Sequence, residues 1–349
     1  GARIMIFRPT SRTWKHLTSL KLIKQLLCLF CLLVLVSCTS APHQTEIVAN
    51  SAKNSFIQAP TGSTKDKPAH ILLVNTNRQI DRYNAAETSF AETMANNSIH
   101  TVDLGQDSQP IETLQDLLND EQFDAVYCIG AKALGSIDYL DPDMPVIFSS
   151  VLNWHRFNAQ DNYNGIASEV APKAQLTWFK YFFPEIKNIG VLYSSDNQQR
   201  IQDADLPAEA LALQLITQEI NSETQLDNLA KALLTKVDAL WLISDPSVLV
   251  STEQAKRLFQ MAHQANVPIF TYHSFFMDMG ATLSITADLP TTGRQAALML
   301  KKVLTQPNYK QRIQFSAGSS ITLNIKKAEA YQLTLNEDAL DSVDELIEY

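Results

Sequence analysis

From Ala69 onward, short β-branched and apolar runs alternate with longer amphipathic segments, and this alternation is the feature that most constrains the fold. It is typical of βα units around a mainly parallel sheet. Predicted strands lie at 71–74, 100–104, 125–129, 146–148, 165–169, 188–193, 213–219, 239–243, 269–271 and 282–286. Predicted helices, with apolar residues at a spacing of three and four, lie at 82–95, 111–118, 173–182, 224–234, 252–265 and 292–304. The fold class is therefore α/β.

A sheet with this many strands is expected to divide into two doubly wound lobes. Changes in composition predict that the chain crosses between lobes at 149–164, after 266–268 and near 306–315. The predicted lobes are an N-terminal lobe of residues 68–153 plus 270–349, with sharing of the C-terminal elements between the lobes left open, and a C-terminal lobe of residues 154–269. Three such crossings describe the type I periplasmic-binding fold, in which the ligand lies between the lobes at the carboxyl ends of the strands.

The N-terminus resembles a lipoprotein signal peptide. A basic segment precedes the apolar run 26–36, which ends in the lipobox sequence Leu35-Val36-Ser37-Cys38. We expect residues 1–37 to be cleaved and Cys38 to carry two acyl chains, which suffice for a stable anchor. Residues 38–67, rich in Ser, Thr, Ala, Pro and Lys, are predicted to be a flexible tether. The alternative is a transmembrane anchor with Cys38 as an ordinary residue, which the short apolar run disfavours.

The charge and the cysteine content of the part that follows the predicted signal peptide limit the kinds of partner and of covalent link that we expect for it. Residues 1–37 contain six Lys and Arg and no Asp or Glu, so their removal changes the formal charge from −9 to −15. An acidic domain without a basic patch argues against nucleic acid as a partner. Cys28 and Cys31 leave with the signal peptide and Cys38 carries lipid, so Cys128 remains alone and no disulfide can form within the chain.

Several sequence blocks occur in an ordered series. They include VYCIGAKA at 126–133, MPVIFSSV at 144–151, NGI at 164–166, FPEIKNIGVLY at 183–193, VDAL at 237–240, VPIF at 267–270, GRQAA at 293–297 and ITLNIKKA at 321–328. The series resembles the ABC-transporter substrate-binding family, whose better-known members bind aromatic amino acids such as tryptophan and tyrosine. The resemblance implies a monomeric, lipid-anchored receptor that captures a small organic solute, amino-acid-like or aromatic, and hands it to an ABC permease, with no cofactor.

In such a fold, helix N-termini facing the cleft can neutralise a carboxylate, and aromatic walls can hold an apolar group. The candidate ligand-binding residues lie at strand ends or near the predicted crossings; they are Thr76, Asn77, Gly130, Ala131, Ser149, Ser150, Asn153, Ser194, Asp245, Tyr272 and Asp288. For Gly130, a tight strand-to-helix turn is an equal alternative to an anion cradle.

One departure from the family bears on the substrate. Where members that bind amino acids place an acidic residue, this chain has Asn153, and an amide supplies no charge to an ammonium group. The ligand therefore need not be an amino acid. Asp245 and Asp288 remain candidates for a cation or hydroxyl, although both also occupy positions typical of helix caps.

Catalysis finds little support in the sequence. No phosphate-binding loop, Gly-x-Ser-x-Gly elbow, His-Glu-x-x-His pair or paired-cysteine metal motif is present. Cys128 lies in an apolar strand, which favours an inert thiol over a nucleophile. The residues His155, His263 and His273 have no spacing typical of a metal site. We therefore predict a binding protein with no metal site and not an enzyme. A metal ion as the bound solute is a remote alternative.

A second function remains open: an envelope sensor or protein-interaction lipoprotein that uses the same bilobed fold without transport. Thr39 bears on this alternative. In a bacterium with two membranes, a residue other than Asp after the lipidated cysteine generally permits sorting to the outer membrane, away from an inner-membrane permease. The anchor is thus expected at the cell envelope, on the periplasmic face or the outer surface, with the membrane undetermined.

Overall fold

The computed structural model describes residues 67–152, 154–157, 162–306, 308–309 and 311–349, all within one unit of residues 65–349. The predicted signal peptide, Cys38, nearly all of the predicted tether and Asn153 lie outside the described residues. Within the described ranges, no helix combines the length and the apolar character needed to cross a membrane.

The described strands form two sheets. In chain order the strands are β1 His70–Asn75, β2 Ser98–Asp103, β3 Ala125–Ile129, β4 Val146–Ser149, β5 Tyr163–Val170, β6 Asn188–Tyr193, β7 Gln214–Glu219, β8 Ala239–Trp241, β9 Ile269–Thr271, β10 Leu283–Ala287, β11 Ile313–Ser316, β12 Ser319–Asn324 and β13 Glu345–Ile347. The first sheet is entirely parallel, in the order β11-β5-β4-β3-β1-β2. The second has the order β13-β12-β10-β9-β8-β6-β7 and is parallel except for the β10–β12 pair.

Helices cover both sheets. In chain order they are α1 Asp81–Thr93, α2 Pro110–Asp120, α3 Ala131–Leu140, α4 Pro172–Phe182, α5 Gln198–Ala210, α6 Leu226–Leu234, α7 Thr252–Gln264, α8 Leu289–Thr305 and α9 Ile325–Ala330. All five residues of the central strand β3 are buried, as expected for a parallel strand covered on two faces. The α/β fold class predicted from the alternating pattern is confirmed.

The chain crosses between the sheets at different points from those predicted. Strand β5 stays in the first sheet, because Val146 of β4 pairs with Tyr163, so the first crossing comes only at Ala171. Strands β9 and β10 belong to the second sheet, which moves the second crossing to Asp288. The third crossing follows β11, at 317–318.

Each lobe is therefore built from two stretches of chain. The first lobe contains residues 67–170 and 289–316, and the second lobe contains residues 171–288 and 317–349. The sheet order places 270–288 and 317–349 in the second lobe and 162–170 in the first, which differs from the predicted bounds. The polar segment before β5 looked like a crossing between lobes but is a connection within one sheet.

Helix α8 completes the core of the first lobe. Its residues Ala296, Ala297 and Leu300 are buried with Ile71 and Leu73 of β1. Gly293 permits this packing: a Cβ atom there would overlap the backbone carbonyl oxygen of α1 residue Ala86. The two helices thus approach at backbone distance, which a larger side chain would prevent.

Candidate functional site

A cavity of about 140 Å³ lies where the carboxyl ends of strands from both lobes meet. Its lining residues follow or end strands β4, β5, β9 and β10, or begin a helix; they are Arg82, Ser150, Leu152, Ser168, Tyr272, His273, Ser274, Thr286, Ala287 and Leu289. Parallel α/β folds bind ligands at this edge, outside the carboxyl ends of the strands. The cavity is therefore the candidate ligand site.

Ser150 is the most strained of the predicted residues in this cavity. It follows β4 with φ of 58°, in the left-handed region that a serine rarely adopts. Its Oγ is buried and has no hydrogen-bond partner within the described structure. An unpaired buried hydroxyl costs free energy unless a ligand or water satisfies it, so this atom is a candidate for contact with a ligand.

Tyr272 contributes the aromatic wall expected from the sequence. Its side chain is half-buried, and burial raises the pKa of the phenol, opposed by a hydrogen bond with Ser244. The Tyr272 ring also meets the rings of His273 and Phe276 at centroid distances of 6.3 and 5.7 Å. The phenol therefore remains neutral and can donate or accept a hydrogen bond within the cavity.

A polar contact across the cleft joins Arg82 of α1 to His273 of the second lobe. The Arg82 Nη1 atom lies 3.2 Å from His273 Nε2, although the two residues are 191 positions apart in sequence. The other ring nitrogen, Nδ1, accepts from the Phe275 N–H at 3.0 Å. Burial, and then the charge of Arg82, lower the pKa of His273 and favour the neutral ring.

Two buried carboxylates near the cleft are already paired. Glu87 of α1 accepts from Asn75 Nδ2 at 2.6 Å and from Arg78 Nε at 2.7 Å. Glu169, at the end of β5, accepts from Arg200 Nη2 of the second lobe at 2.8 Å. Each acidic group therefore has a cationic partner, and neither is free to neutralise a ligand ammonium.

The predicted acidic candidates Asp245 and Asp288 have partners too. Asp245 is buried and accepts from the Ser194 N–H at 2.7 Å and the Ser194 Oγ at 2.9 Å. Asp288 caps α8, accepting from the Thr291 N–H at 2.9 Å. None of these three predicted residues lines the cavity, and the capping alternative describes the contacts of Asp288.

The predicted cradle after β3 is occupied from within the first lobe. Thr76 Oγ1 accepts from the Ala133 N–H at 3.1 Å, in the first turn of the helix that Ala131 begins. Gly130 has φ of 88°, and a Cβ there would lie 2.9 Å from Thr76 Cβ. These contacts favour the tight-turn interpretation of Gly130 over the anion cradle.

The side chains of Asn77 and Ser149 also form hydrogen bonds within the first lobe. The Asn77 Oδ1 atom accepts from the Gln79 N–H at 2.9 Å, in the turn before α1. Ser149 is buried, with its Oγ 2.7 Å from the hydroxyl of Tyr127. Of the predicted candidates within the described residues, Ser150 and Tyr272 are those that line the cavity.

Sequence reasoning missed several residues of the cavity, chiefly Arg82, Ser168, His273 and Thr286. Arg82 is the second residue of α1, after a strand end, and this position was the available signal. Its pairing with the second lobe depends on how the lobes meet, which no local pattern reveals.

A larger cavity, of about 530 Å³, lies at the other end of the second sheet. Its lining includes Ile186, Val237 and Val267, each of which precedes a strand. It therefore lies at the amino ends of parallel strands, away from the edge where such sheets bind ligands.

Metal binding needs a cluster of ligands and thiol chemistry needs an accessible thiol, and both can be judged in the described part of the chain. No cluster of three or more His, Cys, Asp or Glu side chains suited to a metal occurs among those residues. Cys128 is fully buried in β3, and burial raises the pKa of its thiol. The thiol is therefore protonated and shielded from solvent.

Three solved structures share the fold. A domain from Streptococcus pneumonia, solved in complex with L-Trp, is 20% identical, with a TM-score of 0.53, and the match covers 80% of this chain and 100% of that one. A ligand-free, open substrate-binding protein with adhesive properties from Clostridium difficile is 15% identical over 80% and 99%, with a TM-score of 0.60. A conserved domain protein from Vibrio cholerae is 16% identical over 80% and 100%, with a TM-score of 0.52.

A comparison with curated proteins found no significant match. The model of one protein family, described as "ABC transporter substrate binding protein", matches residues 97–347, well over half of the chain. That range contains most of the first lobe and nearly all of the second. The chain therefore belongs to the ABC transporter substrate-binding protein family, as the ordered sequence blocks predicted.

Proposed function

We propose that this protein is a lipid-anchored receptor that binds a small organic solute between its lobes and delivers it to an ABC permease. The observation that carries the proposal is the cavity at the carboxyl ends of strands from both sheets, with the unpaired hydroxyl of Ser150 inside it. A solute held there contacts both lobes at once. Membership of the family supports the transport role.

A thermal-shift screen of the purified full chain tests solute binding. A ligand at about 100 times its Kd stabilises the folded state by about 2.7 kcal/mol, so amino acids, peptides, nucleosides and organic acids can be compared directly. We expect at least one solute to raise the Tm. Replacement of the cavity residue, Tyr272→Ala, should weaken that shift, whereas Tyr139→Ala, at a side chain 76% exposed, should not. The absence of a shift with any solute would contradict the proposal.

The anchor is tested separately by metabolic labelling with palmitate. Cys38 follows the lipobox residues, so Cys38→Ala should abolish labelling. Cys31→Ala, within the predicted signal peptide, is the matched control and should be labelled as the wild type is. Labelling that survives Cys38→Ala would place the lipid elsewhere.

Two observations favour a second function, an envelope sensor or interaction lipoprotein. Thr39 directly follows the predicted lipidation site and permits sorting to the outer membrane. One structure of the same fold is a substrate-binding protein with adhesive properties. Crosslinking in intact cells separates the two: transport predicts a permease subunit as the crosslinked partner, and the alternative predicts another envelope protein with no solute effect on Tm.

A further inference from the structure

The charge of the cavity lining points to the class of solute. Among the described lining residues, Arg82 carries a fixed positive charge and none carries a carboxylate. The others are hydroxyl-bearing, aromatic or apolar side chains, apart from His273. A partly apolar cavity with one fixed positive charge favours an anionic group at that point.

The contact between Arg82 and His273 leaves two donors facing each other. A neutral imidazole has one acceptor nitrogen, and His273 uses Nδ1 to accept from the Phe275 N–H. The proton therefore lies on Nε2, which is 3.2 Å from the Arg82 Nη1 donor. The two N–H groups cannot satisfy each other, but one carboxylate oxygen placed beside them can accept from both.

The buried carboxylates described near the cleft already have hydrogen-bond or ion-pair partners. The buried carboxylates Glu87 and Glu169 are held by Arg78 and Arg200, and Asp245 is held by Ser194. An ammonium group entering the cavity would meet the Arg82 guanidinium, and none of the described lining residues offers it a carboxylate. Burial of such a charge is costly when it lacks a partner.

We propose that the cleft takes a small organic carboxylate that lacks an ammonium group, with the carboxylate bridging Arg82 and His273 and so joining the two lobes. The unpaired Ser150 Oγ supplies a further donor inside the cavity. The volume of about 140 Å³ is close to the roughly 150 Å³ of a cavity that holds benzene. The part of the solute beyond its carboxylate is therefore expected to be about the size of a benzene ring. This inference rests on the proposed function of solute capture and specifies its substrate class.

Three probes of nearly equal shape test the charge. Benzoate, benzamide and benzamidine carry charges of −1, 0 and +1 on the same ring, and each is titrated calorimetrically into the full chain. We expect benzoate to bind about tenfold or more tightly than benzamide, and benzamidine not to bind. Arg82→Gln should weaken benzoate binding about tenfold and leave benzamide unchanged. Arg257→Gln, at an exposed arginine of α7, is the matched control and should change neither.

The outcomes separate this inference from the proposed function, because the broad solute screen is run on the same preparation. If a zwitterion, a cation or a neutral solute binds best, or if Arg82→Gln leaves carboxylate affinity unchanged, the carboxylate assignment is wrong while solute capture stands. If another carboxylate of the screen binds more tightly than benzoate, that carboxylate is titrated into Arg82→Gln. A loss of affinity supports the carboxylate assignment, and an unchanged affinity refutes it. If no solute binds at all, the proposed function itself fails.

Discussion

The ion pair between Glu169 and Arg200 yields a prediction whose size can be worked out from the structure. The Glu169 and Arg200 side chains are 4% and 13% exposed, and Glu169 Oε2 lies 2.8 Å from Arg200 Nη2. Arg200→Met removes the cation and leaves a buried carboxylate without its partner, which costs about 3 to 5 kcal/mol. At about 2.1 cal/mol/K per residue over residues 65–349, that loss lowers the Tm by about 5 to 8 °C.

Circular dichroism melts of the full chain measure this effect. The double variant Glu169→Gln with Arg200→Met buries no charge and should recover at least half of the lost Tm. The control is Arg257→Met, whose pair with Asp227 has side chains 50% and 44% exposed and should contribute less than about 1 kcal/mol. If Arg200→Met melts at the wild-type temperature, or if the double variant is less stable than the single one, the buried-charge argument is refuted.

Other predictions follow from the helix contact, the cleft histidine and the buried thiol. Gly293→Ala should cost about 1 to 3 kcal/mol of unfolding free energy in denaturant melts, because its Cβ overlaps α1. Gly135→Ala, where a Cβ has ordinary contacts, should be neutral or stabilising. Since burial and Arg82 lower the pKa of His273, a bound anion must raise it. Benzoate affinity should then rise as pH falls from about 7.5 to 5.5, by up to about tenfold per unit of pKa shift, and His273→Asn should flatten this dependence. Cys128 should react with a thiol reagent only in denaturant, and rapid reaction of the folded protein would contradict its burial.

The sequence predicted the strands of the two sheets better than their division between lobes. Buried parallel strands such as β3 are continuous apolar runs in the sequence, so they can be recognised from neighbouring residues alone. Lobe membership instead depends on pairing between distant strands, as for β5, which lies between β4 and β11. Helix α5 was missed because only Ile201, Ala204 and Ala208 of its thirteen residues are buried, too few to give a strong period.

For the candidate site too, local patterns were predictable from the sequence and contacts between distant residues were not. Strand ends were the right places to search, and Ser150 and Tyr272 line the cavity. The sequence could not show which polar groups already have hydrogen-bond partners within the protein. The hydroxyl of Thr76, for example, accepts a hydrogen bond from the backbone of a helix in its own lobe. Nor could it bring Arg82 to His273, because that contact spans the two lobes.

The split construction of the first lobe has a consequence for the order in which the chain folds. Sheet β1 to β5 lacks its edge strand β11 and the covering helix α8 until residues 289–316 are available, long after the sheet itself has been synthesised. Contacts so distant in sequence slow folding, because loop closure precedes any gain in stability. We therefore expect the first lobe to become stable only after residues 289–316 have joined the strands that precede them.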